Sequence, residues 1–186
     1  MHLSQRRSAL CGAALAAITL AAINVMPVAA ANATATLTGA GSPAILSSTT
    51  PSWSQTLDGL DHNGITSSAS VDVNDATGTG SGWNLTLSGA VLTSGSHTLA
   101  QPSTSAAATF TCDASSTCTV ATSNTGTGSV SYPFTVGTTA AKFYSANAAT
   151  GLGRMSGPNT WALNVPANAF AGTYTGAWVY SIVSGP

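Results

Sequence analysis

The sequence has 186 residues, of which 44% are hydrophobic and only 5% charged, with a formal net charge of −1. An ordinary globular domain carries about 25% charged residues. The groups needed for acid–base chemistry, for neutralising nucleic-acid phosphates or for docking on anionic lipid are therefore scarce. There is no Glu; the acids are Asp58, Asp61, Asp72, Asp75 and Asp113, and the bases are Arg6, Arg7, Lys142 and Arg154.

In chain order, residues 1–31 read as a cleavable export signal. His2, Arg6 and Arg7 form a positive start, Ala9 to Ile23 an apolar run, and Val28-Ala-Ala30 to Ala31-Asn-Ala33 offer small-x-small cleavage patterns. The run is shorter and weaker than a spanning helix of about 20 apolar residues. Arg6-Arg7 is not followed by the bulky apolar residue of a twin-arginine signal. Cys11 is not preceded by the apolar run as in a lipoprotein: nearly all of the run follows it, and Leu10 stands directly before it where a small residue is needed. Cleavage leaves residues 32–186 as one domain, long enough to bury a core, with two bases against five acids. No nucleic-acid partner, and no membrane contact after cleavage, is expected.

Beyond residue 31 apolar residues alternate between breaks rich in Gly, Ser, Asn and Pro, the pattern of half-buried strands. Strands are expected at Thr34–Thr38, Gln55–Leu60, Ile65–Val73, Trp83–Ser88, Ala107–Thr111, Thr117–Thr122, Val130–Val136, Trp161–Val165 and Tyr174–Val183. Asp61–Gly64 reads as a hairpin turn, Asp75–Gly82 and Gly151–Pro158 as loops, and Ala140–Ala149 as the one stretch able to hold a helical turn. The expected fold is all-β: a single β-sandwich, Ig-like or a related Greek key, or a related barrel. Cys112 and Cys118, an even pair in an exported chain, suggest a disulfide; the rival metal site would need further ligands nearby, and none is adjacent.

Two segments share one pattern. Trp83-Asn-Leu85-Thr-Leu87 and Trp161-Ala-Leu163-Asn-Val165 each place Trp, Leu and an aliphatic residue at i, i+2 and i+4, on one face of a strand. The first follows the acidic, Gly-rich approach Val73-Asn-Asp75-Ala-Thr-Gly-Thr-Gly-Ser-Gly82; the second lies near the C-terminus and continues as Pro166-Ala-Asn-Ala-Phe170-Ala-Gly172-Thr-Tyr174. In these features the chain resembles the WxL domain family of bacterial cell-surface proteins, in its actinobacterial-type form, over residues 34–186. It departs from the family's usual form in its cysteine pair and in how soon Pro166 follows the second motif. The resemblance implies a secreted protein of the cell surface that associates non-covalently with the cell wall through peptidoglycan, sometimes within larger surface assemblies. No sortase-type sorting motif follows the last strand, in keeping with non-covalent attachment.

Trp83, Leu85, Trp161, Leu163 and Trp53 are the candidate wall contacts. Trp83 and Trp161 are either sugar-stacking platforms or, as their shared faces with Leu favour, core residues. Trp53, after Pro51-Ser52, is an exposed contact or a plug at the end of the sandwich; Trp178, Tyr144 and Tyr180 are weighed in the same way. Asp72 and Asp75 flank Asn74 but lack the spacing of a Ca²⁺ loop, so no metal and no cofactor is expected. His62 and His97 look like loop residues, and without Glu a glycosidase would need two Asp carboxylates, with Asp58 and Asp61 at hand. The chain reads as a non-enzyme. Its partners are then peptidoglycan or other surface proteins. The second reading is a structural or adhesive assembly subunit that joins partners by strand edges.

Overall fold

The structure, a computed structural model, describes residues 34–123 and 130–185. The chain divides into two compact units, Met1–Thr36 and Leu37–Pro186. In the first, only residues 34–36 are described, exposed and without regular structure; the expected signal at 1–31 lies outside the described residues.

Among the described residues of the second unit eleven strands follow one another: β1 (Ala44–Ser48), β2 (His62–Asp75), β3 (Trp83–Gly89), β4 (Thr93–Ser94), β5 (His97–Thr98), β6 (Ser103–Thr104), β7 (Thr111–Cys112), β8 (Phe134–Thr135), β9 (Ala141–Ala146), β10 (Gly153–Val165) and β11 (Trp178–Ser184). The domain is all-β, as its alternation predicts. One antiparallel sheet has the order β1-β2-β10-β6-β8, with β7 also on β10; a second has the order β11-β3-β9; β4 and β5 form a small hairpin. Among the described residues no helix is long and apolar enough to cross a membrane.

The long β2–β10 ladder is the frame. Its register pairs Met155 with Val73, Gly157 with Val71 and Trp161 with Ser67. Ala69, Val71 and Val73 of β2 point inward, as do Met155 and Trp161 of β10, and they meet Trp83, Leu85 and Leu87 of β3 in one core. Two aromatic clusters fill it. Trp83 stacks on Tyr144 at 5.5 Å and meets Phe110 edge-on at 5.2 Å. Trp161 meets Trp178 edge-on at 4.8 Å and packs with Phe143 and Phe134 at 6.3 Å. Gly157 makes room for this core: a Cβ there would stand 2.4 Å from the Phe110 ring.

Several expected elements differ. Ala140–Ala149 holds no helical turn but β9, whose register slips opposite Leu85 and Thr86, so that Phe143 and Tyr144 are both buried and the period-2 pattern is lost. Gly151–Pro158 is mostly the first part of β10 rather than a loop; Pro158 is tolerated where the second edge of β10 lapses between β7 at Ser156 and β6 at Ala162. Asp61–Gly64 runs straight into β2 instead of turning. Thr34–Thr38 and Gln55–Leu60 alternate in sequence but find no partner strand among the described residues, and alternation without a partner makes no ladder. Of Ala107–Thr111 and Thr117–Thr122 little remains beyond β7 and a single bridge from Thr119 to Leu152.

Candidate binding surfaces

The motif residues lie inside. Trp83, Leu85 and Trp161 have no exposed surface and Leu163 only 4%, which corrects the expectation that they could touch a wall polymer directly: the i, i+2, i+4 face is the core face. The indole N–H of Trp83 donates to the carbonyl of Gly151 at 3.0 Å. Gly151 has φ +80°, and a Cβ there would stand 2.5 Å from that indole nitrogen, so no other residue fits. The indole nitrogen of Trp161, by contrast, is buried without a hydrogen-bond partner among the described residues.

The end of the molecule around Trp83 is tied down. Cys112 and Cys118 form the expected disulfide, with Cα atoms 5.6 Å apart. The loop between them is bound along β10: the N–H of Asp113 donates to the Arg154 carbonyl at 3.1 Å, Arg154 N–H donates to the Ser116 hydroxyl at 3.2 Å, and the Arg154 guanidinium pairs with the Asp113 carboxylate. The Gly-rich loop 76–82 is also bound. Buried Asp75 accepts from the backbone N–H of Thr77 at 3.0 Å and from its hydroxyl at 2.6 Å, and the hydroxyls of Thr77, Thr79 and Ser81 continue in line at 3.0 and 3.1 Å.

The opposite end is open. Leu163 and Val165 leave the main core and, with Leu92, Leu99 and Ile65, form the floor of a cleft of about 820 Å³. Residues 50–57 make one wall and residues 169–176 the other. Trp53 lines this cleft, half-buried, its indole N–H donating to the Trp161 carbonyl at 3.3 Å and its ring packed against both parts of the core. It is the plug at the end of the sheets, not an exposed platform. Among the described residues no charged side chain lines the cleft; the rim carries hydroxyls and the Gln55 amide. At the rim Phe170, 60% exposed, stacks on His97 with ring centroids 3.8 Å apart.

A second surface faces away from the core. The outward residues of the β2–β10 ladder include Thr66, Ser68 and Ser70, with Thr160 opposite Ser68, and Asn164, whose side-chain oxygen accepts the Gly64 N–H at 2.7 Å. Thr66, Ser68, Thr160 and Asn164 are exposed. Charged groups stand at both ends of the ladder, Asp72 and Arg154 at one and Asp58 and Asp61 beside His62 at the other. Hydrogen bonds from Ser156 and Ser47, and then the nearby Arg154 charge, hold the Asp72 carboxyl below the ordinary 3.8.

The remaining candidates are scattered. Asp72 faces outward and Asp75 inward, so the two carboxylates do not converge on one ion. Among the described residues no three His, Cys, Asp or Glu side chains cluster. His62 pairs with Asp58 at 2.9 Å on the surface. The Asp58 carboxyl is held down by the Leu60 backbone N–H and by His62, while Asp61 accepts the Ala167 N–H at 2.7 Å. Burial raises the Tyr132 and Tyr180 hydroxyls to about 12 and pushes Tyr144 up as well; each fills core space. Comparison with known proteins finds no matching family model, no matching curated protein and no matching solved structure.

Proposed function

We propose that this chain is an exported, non-catalytic surface protein that associates non-covalently with bacterial cell-wall peptidoglycan through a WxL-like domain, and that the outward face of the β2–β10 ladder is its contact. The observation that carries this reading is that face itself: exposed Thr66, Ser68, Thr160 and Asn164 form an uncharged row of hydroxyl and amide groups. A hydroxyl-rich polymer finds hydrogen-bond partners there without having to strip charges of water. The aliphatic floor of the cleft offers a glycan no such partners, and burying its hydroxyls there would cost free energy. The tryptophans of the two motifs serve this function from within, Trp161 on the ladder and Trp83 on the second sheet, both packed in the core that the two sheets share.

Binding of this kind is insensitive to ionic strength, because screening acts on charges. Purified protein should co-sediment with peptidoglycan sacculi equally in low and high salt, and the double variant Ser68→Val, Thr160→Val should lose most of that binding while melting like the parent. Failure of the parent to sediment rejects wall association; an unaffected double variant rejects this face as the contact.

A further inference from the structure

Among the described residues no segment fills the cleft, and its lining has the features that receive a strand. Its floor is aliphatic, with Leu92, Leu99, Leu163 and Val165 at its base. Among the described residues, Trp53 to Leu57 in one wall make no backbone-to-backbone hydrogen bond, and of their carbonyls only that of Thr56 accepts from a side chain, the Gln55 amide at 2.9 Å. An apolar floor beside unpaired main-chain groups is what an added strand requires: the backbone pairs with the wall and alternate side chains enter the floor.

The chain also carries an unpartnered segment of the right kind. From Thr34 to Thr38 threonines alternate with Ala35 and Leu37, so that in an extended conformation the apolar side chains share one face. The segment is exposed without regular structure, and Leu37 is 94% exposed, the most of any large hydrophobic residue described. Neither segment nor cleft lining carries a charge, so no repulsion opposes their meeting.

Leu37 cannot reach the cleft of its own chain. Ala40 is fixed by donating its N–H to the Ala76 carbonyl at 2.8 Å, just beyond the end of β2. Leu37 stands three residues from that anchor, about 11 Å at full extension. The floor residue Ile65 lies eleven residues from Ala76 along β2, about 36 Å. We infer that the segment Thr34–Thr38 of one copy adds as a strand to the cleft of a second copy, so that molecules join head to tail. Because donor and acceptor lie at opposite ends, the contact is heterologous, and each added copy presents a free cleft to the next.

The test measures molar mass by light scattering during size-exclusion chromatography over a range of concentrations. The parent protein should form oligomers that grow with concentration. Leu37→Asp should raise the concentration for half-assembly about tenfold or more without moving the melting temperature, since Leu37 packs against nothing. Mixing a Leu37→Cys variant with a Thr173→Cys variant should give a cross-linked heterodimer, because Thr173 lines the cleft. A parent that stays monomeric throughout overturns the inference, as does Leu37→Asp assembling like the parent. A fluorescent fatty acid that fills the cleft of a monomeric parent would overturn it too and assign the site to alkyl chains.

Discussion

The two Trp-x-Leu segments enter the same core and meet opposite surroundings. At Trp83 the indole is hydrogen-bonded to Gly151, the strand is flanked by β9 and β11, and the neighbouring loops are bound by a disulfide, an ion pair and a line of hydroxyls. At Trp161 the indole nitrogen has no partner among the described residues, and the two following motif residues, Leu163 and Val165, run past the start of β11 at Trp178 and become the floor of an open cleft. The same spacing of residues thus builds a closed end where the opposing sheet continues and an open cleft where it stops.

The comparison can be broken from the closed end. Trp83→Ala removes the centre of an aromatic cluster and should destabilise by about 3–5 kcal/mol in denaturant unfolding; a loss under 1 kcal/mol would show that this end is not closed in the way described. Reduction of the disulfide, or replacement of Cys112 and Cys118 by Ser, should cost about 2 kcal/mol and should leave assembly through the distant cleft intact. The sharpest contrast comes from matched substitutions. Trp83→Phe strands the Gly151 carbonyl, whereas Trp161→Phe deletes a donor that already lacks a partner, so the first should cost about 1 kcal/mol more than the second; equal costs would erase the difference between the two ends.

Titration separates the interior from the surface. Tyr132 and Tyr180 hold their protons to about 12 in the fold, against 10.0 for an ordinary tyrosine, so their contribution is complete below pH 10 and is lost as pH rises through the folded value. Tyrosinate absorbance should therefore rise together with unfolding on the alkaline side. Asp72, lowered from 3.8 by its hydrogen bonds, contributes above its ordinary value and loses that contribution as pH falls through the folded one. Ser156→Ala should thus weaken stability slightly at neutral pH and flatten the acid limb of the melting profile. The smallest effect belongs to the cleft rim: Phe170→Ala should change stability by about 0.5 kcal/mol or less, because the ring is largely exposed.

What the sequence made legible followed from local period. Ala69, Val71 and Val73, and both Trp-x-Leu faces, are where alternation puts them, and a cysteine pair six residues apart closes as expected. What escaped reading depends on neighbours. Phe143 and Tyr144 are adjacent yet both buried, because a register slip turns them the same way. Gly157 and Pro158 look like breakers, but one makes space for Phe110 and the other sits where β10 lacks a second partner. The cleft draws its lining from segments more than 100 residues apart, between Trp53 and Trp178, and no local pattern announces such an assembly.

The placement of the few basic residues has a consequence for resistance to proteolysis. Beyond residue 31 the only Lys and Arg are Lys142 and Arg154, and both lie within paired strands, β9 and β10. A protease must draw its substrate into an extended groove, and a residue held in a ladder cannot be drawn in until the ladder opens. Trypsin-like enzymes therefore find no accessible cleavage point in the folded domain, and digestion by them should proceed only as fast as the domain unfolds.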